Sequence, residues 1–365
     1  MTRPVHGGNL AWAAGLAGCN PNELIDFSAS ISPLGPPLSV REAGRADFLS
    51  VMAYPDPAYG ELREAIARHH HMDLSFILPG NGAAELLNWA ARDLAGLSRC
   101  FCLSPGFSDY NRALQAVDGQ LTPVALFNEA GEYNNDWEAL LESNLDNCGL
   151  LLNNPHNPTG ALFSKKRVRS LLSKFALVVV DEAFMDFLPA DYEQSVIDWV
   201  SESATLVVIR SLTKFYSMPG LRLGYAIAHP NRLARWQQWR DAWPVNTLAA
   251  TAGIAALKDG SFQQKTWQWL SSENDFLYQR LQTFPQLKPL PSCVNFFLVR
   301  SAVSATDLQV QLLQQYRIYI RDCVSFSGLG DHYFRVAIKS REDNQRLLTA
   351  LADVLPTMTE VGCAS

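Results

Sequence analysis

The sequence predicts an α/β protein: a large domain on a mostly parallel sheet with helices on both faces, followed by a smaller α+β domain. Three observations carry this reading. Short runs rich in Val, Leu and Ile recur between helical stretches. The runs are apolar throughout rather than alternating, as strands buried on both faces are. The rhythm of the chain then changes after about residue 260.

In chain order, the first 45 residues read as loop-rich, punctuated by "SPLGPP". They are expected to pack beside the C-terminal part. Strands are expected at "CFCLS" (100–104), "LLLNN" (150–154), "ALVVVDE" (176–182), "TLVVIRS" (205–211) and "LGYAIA" (223–228). Helices are expected at "AYGELREAIARHH", "AAELLNWAARDLAG", "SKKRVRSLLSKF" and "NTLAATAGIAALKD". Alternation of this kind places helices on both sides of a sheet. After it come a long amphipathic helix, "FQQKTWQWLSSENDFLYQRLQTF", then "VNFFLVR", a helix, "RIYIRD", "YFRVAIK" and a last helix. The expected division is residues 1–45, 46–260 and 261–365, with no internal repeats.

Composition narrows the function. The chain has 365 residues, 48% hydrophobic, and a net charge of −6. That is ample material for a large core. No basic block exists to neutralise phosphates, so neither a general nucleic-acid binder nor a membrane-surface protein is expected. No apolar run reaches bilayer length, and the N-terminus lacks the pattern of a signal peptide. The seven cysteines show no metal-ligand spacing and read as free thiols of a reducing cytoplasm. "RHHH" (68–71) reads as a polar helix end, because adjacent histidines on a helix diverge. No metal is expected.

Ligands of open α/β sheets collect at the carboxyl ends of strands. "GNGAAE" (80–85) is a turn opening a helix, and the N–H groups of Gly82 and Ala83 suit an anion. "NNPHNPTG" (153–160) holds Asn157 beside prolines. "VVVDEAF" puts Asp181 at a strand tip, a costly place for a carboxylate without a partner. "RSLTKFYSMPGLRLGY" brings Ser211, Thr213 and Lys214 to the end of the next strand, with Arg222 after a tight turn. A lysine that acts as a nucleophile needs a carbonyl partner. Pyridoxal phosphate offers an aldehyde for Lys214, and a phosphate for the turn, Ser211, Thr213 and Arg222. It also offers a ring nitrogen for Asp181, a phenolic oxygen for Asn157 and a ring face for Phe107. Singly, each residue has a plainer account: a turn cap, a core aromatic, a surface cation. The set in this order is what is specific.

The order of these motifs resembles the fold-type I pyridoxal-phosphate enzymes of the class I/II aminotransferase superfamily, over nearly the whole chain. The resemblance implies that Lys214 carries the cofactor covalently and that Asp181 partners its ring nitrogen. Asn157, Ser211 and Arg222 would contact cofactor oxygens. Tyr54, in "YPDPAYGELREAI", would reach the phosphate of the neighbouring subunit, implying a homodimer with shared sites. Arg335, in "YFRVAIK", would clamp the substrate carboxylate, a task suited to a planar fork.

Two branches of the superfamily compete: histidinol-phosphate aminotransferases, and threonine-phosphate decarboxylases of cobalamin biosynthesis. "HGGN" (6–9), "IDFSASISPLGPP" (25–37) and "DEAFMDF" resemble the second. Aminotransferases usually carry a tyrosine where Phe184 stands, and Phe184 cannot donate a hydrogen bond to the phenolic oxygen. His6, Asn9, Ser30 and Arg321 are the candidates for the substrate phosphate. Cofactor-binding transcription regulators of this superfamily add an N-terminal DNA-binding domain, for which no room is expected here.

Overall fold

The computed structural model describes residues 3–128, 133–134 and 145–358. The N-terminal segment supplies helix α1 (Leu10–Ala17), strand β1 (Ile25–Asp26) and helix α2 (Leu38–Ala46). It is therefore less loop-rich than its Pro and Gly content implies. An alanine-rich run, capped by Asn9, is enough to form α1. There follow α3 (Gly60–His70), β2 (Ile77–Asn81), α4 (Gly82–Ala95), β3 (Arg99–Ser104), α5 (Asp109–Gln115) and β4 (Leu121–Ala125). Then come β5 (Cys148–Asn153), α6 (Lys165–Leu172), β6 (Leu177–Asp181), β7 (Leu206–Ser211) and β8 (Leu223–Ala228).

Among the described residues these strands make one seven-stranded sheet, in the order β2-β8-β7-β6-β5-β3-β4. The pairs among β4, β3, β5, β6 and β7 are parallel, whereas β8 runs antiparallel to both β7 and β2. Strands β2 and β4 were not expected from sequence. Both carry a proline, Pro79 and Pro123, and both lie at sheet edges, where a missing ladder N–H is tolerated.

The pleat divides the central strands between two cores. Val178, Val180, Val208 and Ile227 pack with Leu62 and Ile66 of α3 and Val168 of α6. Leu177, Val179, Val207 and Ile209 pack on the other face with Leu86 and Ala90 of α4 and Leu114 of α5. Each such Val or Leu contributes roughly 1.5–3 kcal/mol when fully buried, so burial on both faces fixes the strand register.

Helices α7 (Pro230–Trp239), α8 (Thr247–Lys258) and α9 (Gly260–Leu281) lead to β9 (Leu287–Pro289), β10 (Phe296–Ser301) and α10 (Ala305–Tyr316). The described chain closes with β11 (Ile318–Tyr319), β12 (Arg321–Asp322), β13 (Tyr333–Ala337) and α11 (Arg341–Val354). A second sheet has the order β12-β13-β10-β9, antiparallel throughout. Strand β1 pairs in parallel with β11, which ties the N-terminal segment to this part of the molecule. Among the described residues no helix is long and apolar enough to cross a membrane. Among them, too, no cluster of three metal-ligating side chains occurs, and six free cysteines are present. His70 is more than a polar helix end: its Nε2 lies 2.7 Å from the Tyr225 hydroxyl, inside the α3–β8 packing.

Candidate active site

The tips of β5, β6 and β7 lie side by side, because the three strands are paired in parallel; Asn153 is in register with Asp181 and Asp181 with Ile209, and β7 continues two residues further to Ser211. Asn153, the last residue of β5, links two neighbours. Its Nδ2 donates to the Asp181 carbonyl (2.8 Å), and its Oδ1 accepts the Asn157 N–H (2.7 Å). Asp181 ends β6, is 4% exposed, and accepts the Ala183 N–H on Oδ1 (3.0 Å). Burial raises its carboxyl above the ordinary range, opposed by Tyr110, Lys214 and the Ala183 N–H. Lys214 follows β7. Its Nζ makes only long contacts, 3.3 Å to Thr213 Oγ1 and 3.4 Å to Ser211 Oγ. Burial pulls its pKa down to about 8, against Asp181 and with the help of Arg222 and Arg335. A loosely held amine near neutrality is a usable nucleophile and base.

Beside it, α4 begins at Gly82 with φ +72°. A Cβ there would lie 2.6 Å from Nη2 of Arg222, so the guanidinium occupies the space a side chain would need. Gly224 serves the same approach, since a Cβ on it would stand 2.7 Å from the Ala83 nitrogen. The first turn of α4, Arg222 and the hydroxyls of Ser211 and Thr213 thus make a cationic, donor-rich corner.

A cleft of about 250 Å³ opens over Lys214. Phe107, Asn157 and Phe184 line one part of it, and His6, Ser30, Arg321 and Arg335 another. Arg335 donates to Asn157 Oδ1 (2.6 Å) and to the Ser28 carbonyl (3.2 Å). This bond orients the Asn157 amide, leaving its Nδ2 as the group to offer a ligand. Arg321 and Arg335 are cross-strand partners on β12 and β13, both buried. Burial lowers the Arg335 pKa to about 10. Like charges directly opposite on a sheet are destabilising. Arg321 also holds the N-terminal segment, donating to the carbonyls of Pro4 and Val5, and it donates to Ser325 Oγ (2.5 Å). The Ser30 hydroxyl and the Arg335 Nε are buried without a hydrogen-bond partner.

The structure therefore brings most of the expected residues together. Asn9 is a correction: its side chain accepts the Trp12 N–H (3.0 Å) as the cap of α1, and it does not line the cleft. An Asn one residue before a helix start is drawn to that N–H. His6 lines the cleft with its ring 5.6 Å from Phe107 and Nε2 3.8 Å from Asp109. Tyr54 lies outside it, 79% exposed and stacked on Trp243.

Sequence reasoning missed Tyr110, whose hydroxyl donates to Asp181 Oδ2 at 2.7 Å. The available signal was its spacing, three residues beyond Phe107 at a helix start, which puts both on one face. It also missed Arg210, which points away from Ser211 into a buried nest of Glu182 (3.0 Å), Asp186 (2.6 Å) and Glu193 (2.5 Å).

Comparison with known proteins identifies the family. Threonine-phosphate decarboxylase of Salmonella typhimurium is 40% identical over 358 residues, 96% of each chain. Among solved structures, L-threonine-O-3-phosphate decarboxylase from Porphyromonas gingivalis superposes with a TM-score of 0.80 at 25% identity. It covers 90% of this chain and 99% of its own. Histidinol-phosphate aminotransferase from Clostridium acetobutylicum gives 0.84 at 26% identity, covering 92% and 100%. The model for aminotransferase class I and II matches residues 22–351, nearly the whole described fold. The chain belongs to the class I and II aminotransferase family.

Proposed function

We propose that this protein is a pyridoxal-phosphate-dependent decarboxylase. It would convert L-threonine O-3-phosphate to (R)-1-amino-2-propanol O-2-phosphate and carbon dioxide, for cobalamin biosynthesis. The observation that carries the reading is the pair of buried guanidiniums, Arg321 and Arg335, set in register beside the Lys214 amine. Two buried guanidiniums facing one small cleft, with Arg321 only distantly paired to Asp322 (3.9 Å), suit a ligand with two anionic ends, and a phosphorylated amino acid has a carboxylate and a phosphate.

The residues present fit the cofactor. The absence of a Cβ on Gly82 lets the Arg222 guanidinium close on the first turn of α4, which sets its charge beside the N–H groups that would hold a phosphate. Ser211 and Thr213 add hydroxyls. Asp181 would hold the ring nitrogen, Asn157 the phenolic oxygen, and Phe107 would cover a face. When bound, the cofactor supplies an electron sink for the bond that breaks at Cα. The rest is the work of the chain. Lys214 Nζ would hold the cofactor, and as an amine it would also be able to carry a proton. Its low pKa lets it do so near neutrality. Arg335 grips the carboxylate and Arg321, with Ser30 and His6, the phosphate. Together they orient the Cα–carboxylate bond. The departing carbon dioxide is replaced at Cα by a proton from Lys214 Nζ. Phe184 offers no hydroxyl, so Asn157 alone on this side donates to the phenolic oxygen.

A homodimer completes the proposal. Phe48 (58% exposed), Leu49 (74%), Met52 (85%) and Tyr54 form an exposed apolar stretch before α3, which a second copy would cover. Free cysteines agree with a cytoplasmic enzyme.

The test is incubation of the holoenzyme with threonine phosphate and no keto acid. Carbon dioxide and aminopropanol phosphate are expected. The overlay on histidinol-phosphate aminotransferase favours a second reading. Turnover that instead requires histidinol phosphate and 2-oxoglutarate establishes that reading and overturns the first.

A further inference from the structure

Asp181 is buried, yet no arginine or lysine nitrogen forms an ion pair with it among the described residues. Its two oxygens are held by neutral donors instead: the Ala183 N–H on Oδ1 at 3.0 Å, and the Tyr110 hydroxyl on Oδ2 at 2.7 Å. The first comes from the strand end itself and is unaffected by side-chain changes. The second comes from another element, the first turn of α5.

Tyr110 is built to serve this bond. It is 1% exposed, and Phe107 meets its ring edge-on at 5.5 Å and 86°. A phenol has a single proton to donate, and here Asp181 receives it. Leu86, Ala113 and Leu114 belong to the same apolar cluster, so the hydroxyl is in a dry setting where an unpaired polar group is expensive. The other titratable groups facing Asp181 are Lys214, beyond β7, and the Cys102 thiol of β3. Cys102 is itself pushed up to about 12 by burial and brings no positive charge. Among the side chains around the carboxylate, Tyr110 does most to oppose the effect of burial.

We propose that Tyr110 is the positioning residue that keeps Asp181 ionised and aimed, and so fixes how firmly the cofactor ring nitrogen holds its proton. The inference rests on the pyridoxal phosphate reading. It assigns reactivity at the ring to a residue that touches neither substrate nor the reacting carbon.

Tyr110→Phe removes one oxygen and leaves the packing. A hydrogen bond to a charged group lost in this way predicts a fall in kcat of about 10- to 100-fold. KM should change little, because Arg321 and Arg335 are untouched. The acid limb of the rate profile should move up by about one pH unit, since the buried carboxyl then protonates more readily. Two readouts separate this role from a structural one. The first is reconstitution with the N-methylated cofactor, whose ring charge is permanent. It should restore the variant to within a few-fold of wild type in the same form. The second is the visible band of the bound cofactor, whose pH titration should shift in the variant at unchanged melting temperature of the apoprotein.

Asp181→Asn guards against a folding artefact. In that background Tyr110→Phe should change neither rate nor spectrum further. A Tyr110→Phe variant with wild-type kcat, pH profile and spectrum, in a protein whose wild type binds cofactor and turns over, overturns this inference alone. So does an equal loss with the natural and N-methylated cofactors. Wild-type protein that binds no cofactor at Lys214 overturns the underlying reading as well.

Discussion

The sharpest test of the phosphate corner is Gly82→Ala. A methyl built on Gly82 would lie 2.6 Å from Nη2 and 3.2 Å from Cζ of Arg222. Ordinary non-bonded contacts require about 3.5–4.0 Å, so the guanidinium must withdraw by about 1 Å. A charge-assisted hydrogen bond stretched by that amount no longer counts as one. Its loss is worth about 1.5–3 kcal/mol, or about 10- to 150-fold in cofactor dissociation constant. A separate cost falls on the backbone. The φ of +72° penalises any residue with a Cβ by roughly 1–2 kcal/mol. The two effects are read separately: cofactor affinity by absorbance titration, and apoprotein stability by thermal melting. Gly220→Ala is the control, because a Cβ there meets nothing within 4 Å and the change lies in the same turn as Arg222. It should alter neither quantity. A Gly82→Ala protein that melts lower but binds cofactor as wild type does would show that Arg222 is not a phosphate ligand.

Other consequences can be measured alongside. The Lys214 amine titrates near 8 rather than at its ordinary 10.5, so apoprotein acylation at this site should rise steeply through pH 8. In stability terms the folded state releases this proton first, and the group adds stability as pH rises from about 8 to 10.5. Arg335→Lys cannot reach both Asn157 and the Ser28 carbonyl, so KM for threonine phosphate should rise about 10- to 100-fold, with cofactor still bound. Glu182 has the opposite sign from Lys214. Burial lifts its pKa from 4.5 to about 7, so its contribution is full below pH 4.5 and lost as pH rises through 7. Glu182→Gln should flatten unfolding free energy across that window, by at most about 3 kcal/mol. An unchanged slope would assign the proton uptake elsewhere.

The central strands were legible because residues 177–180 and 206–209 are apolar on both faces, and nothing but a covered sheet accommodates that. The edge strands were hidden by their prolines, which speak against a ladder unless the strand is known to be outermost. The chemistry at the strand tips was legible because each residue type is costly there without a partner. Tyr110 was not, because an aromatic on a helix reads as core until its hydroxyl is seen to have a destination. Asn9 misled for a related reason: its side chain answers a local helix end before any distant ligand. The Arg210 nest escaped because its members, Glu182, Asp186 and Glu193, converge only when β6, β7 and the following loop are folded together.

The pairing of β6 with β7 carries a further consequence. Asp181 and Glu182 are neighbours in sequence with opposite destinations, one to Tyr110 and the other to Arg210. Deleting a single residue upstream in β6 would carry Glu182 into the place of Asp181 and Ala183 into that of Glu182, and inserting one would carry Asp181 into the place of Glu182 and Val180 into that of Asp181. In the first case the longer acid intrudes where the shorter one belongs and the arginine loses its partner; in the second the arginine faces a carboxylate one carbon shorter and the Tyr110 hydroxyl faces a valine. Drift at this spot in related genes should therefore favour point replacement over any change of length, however conservative its chemistry.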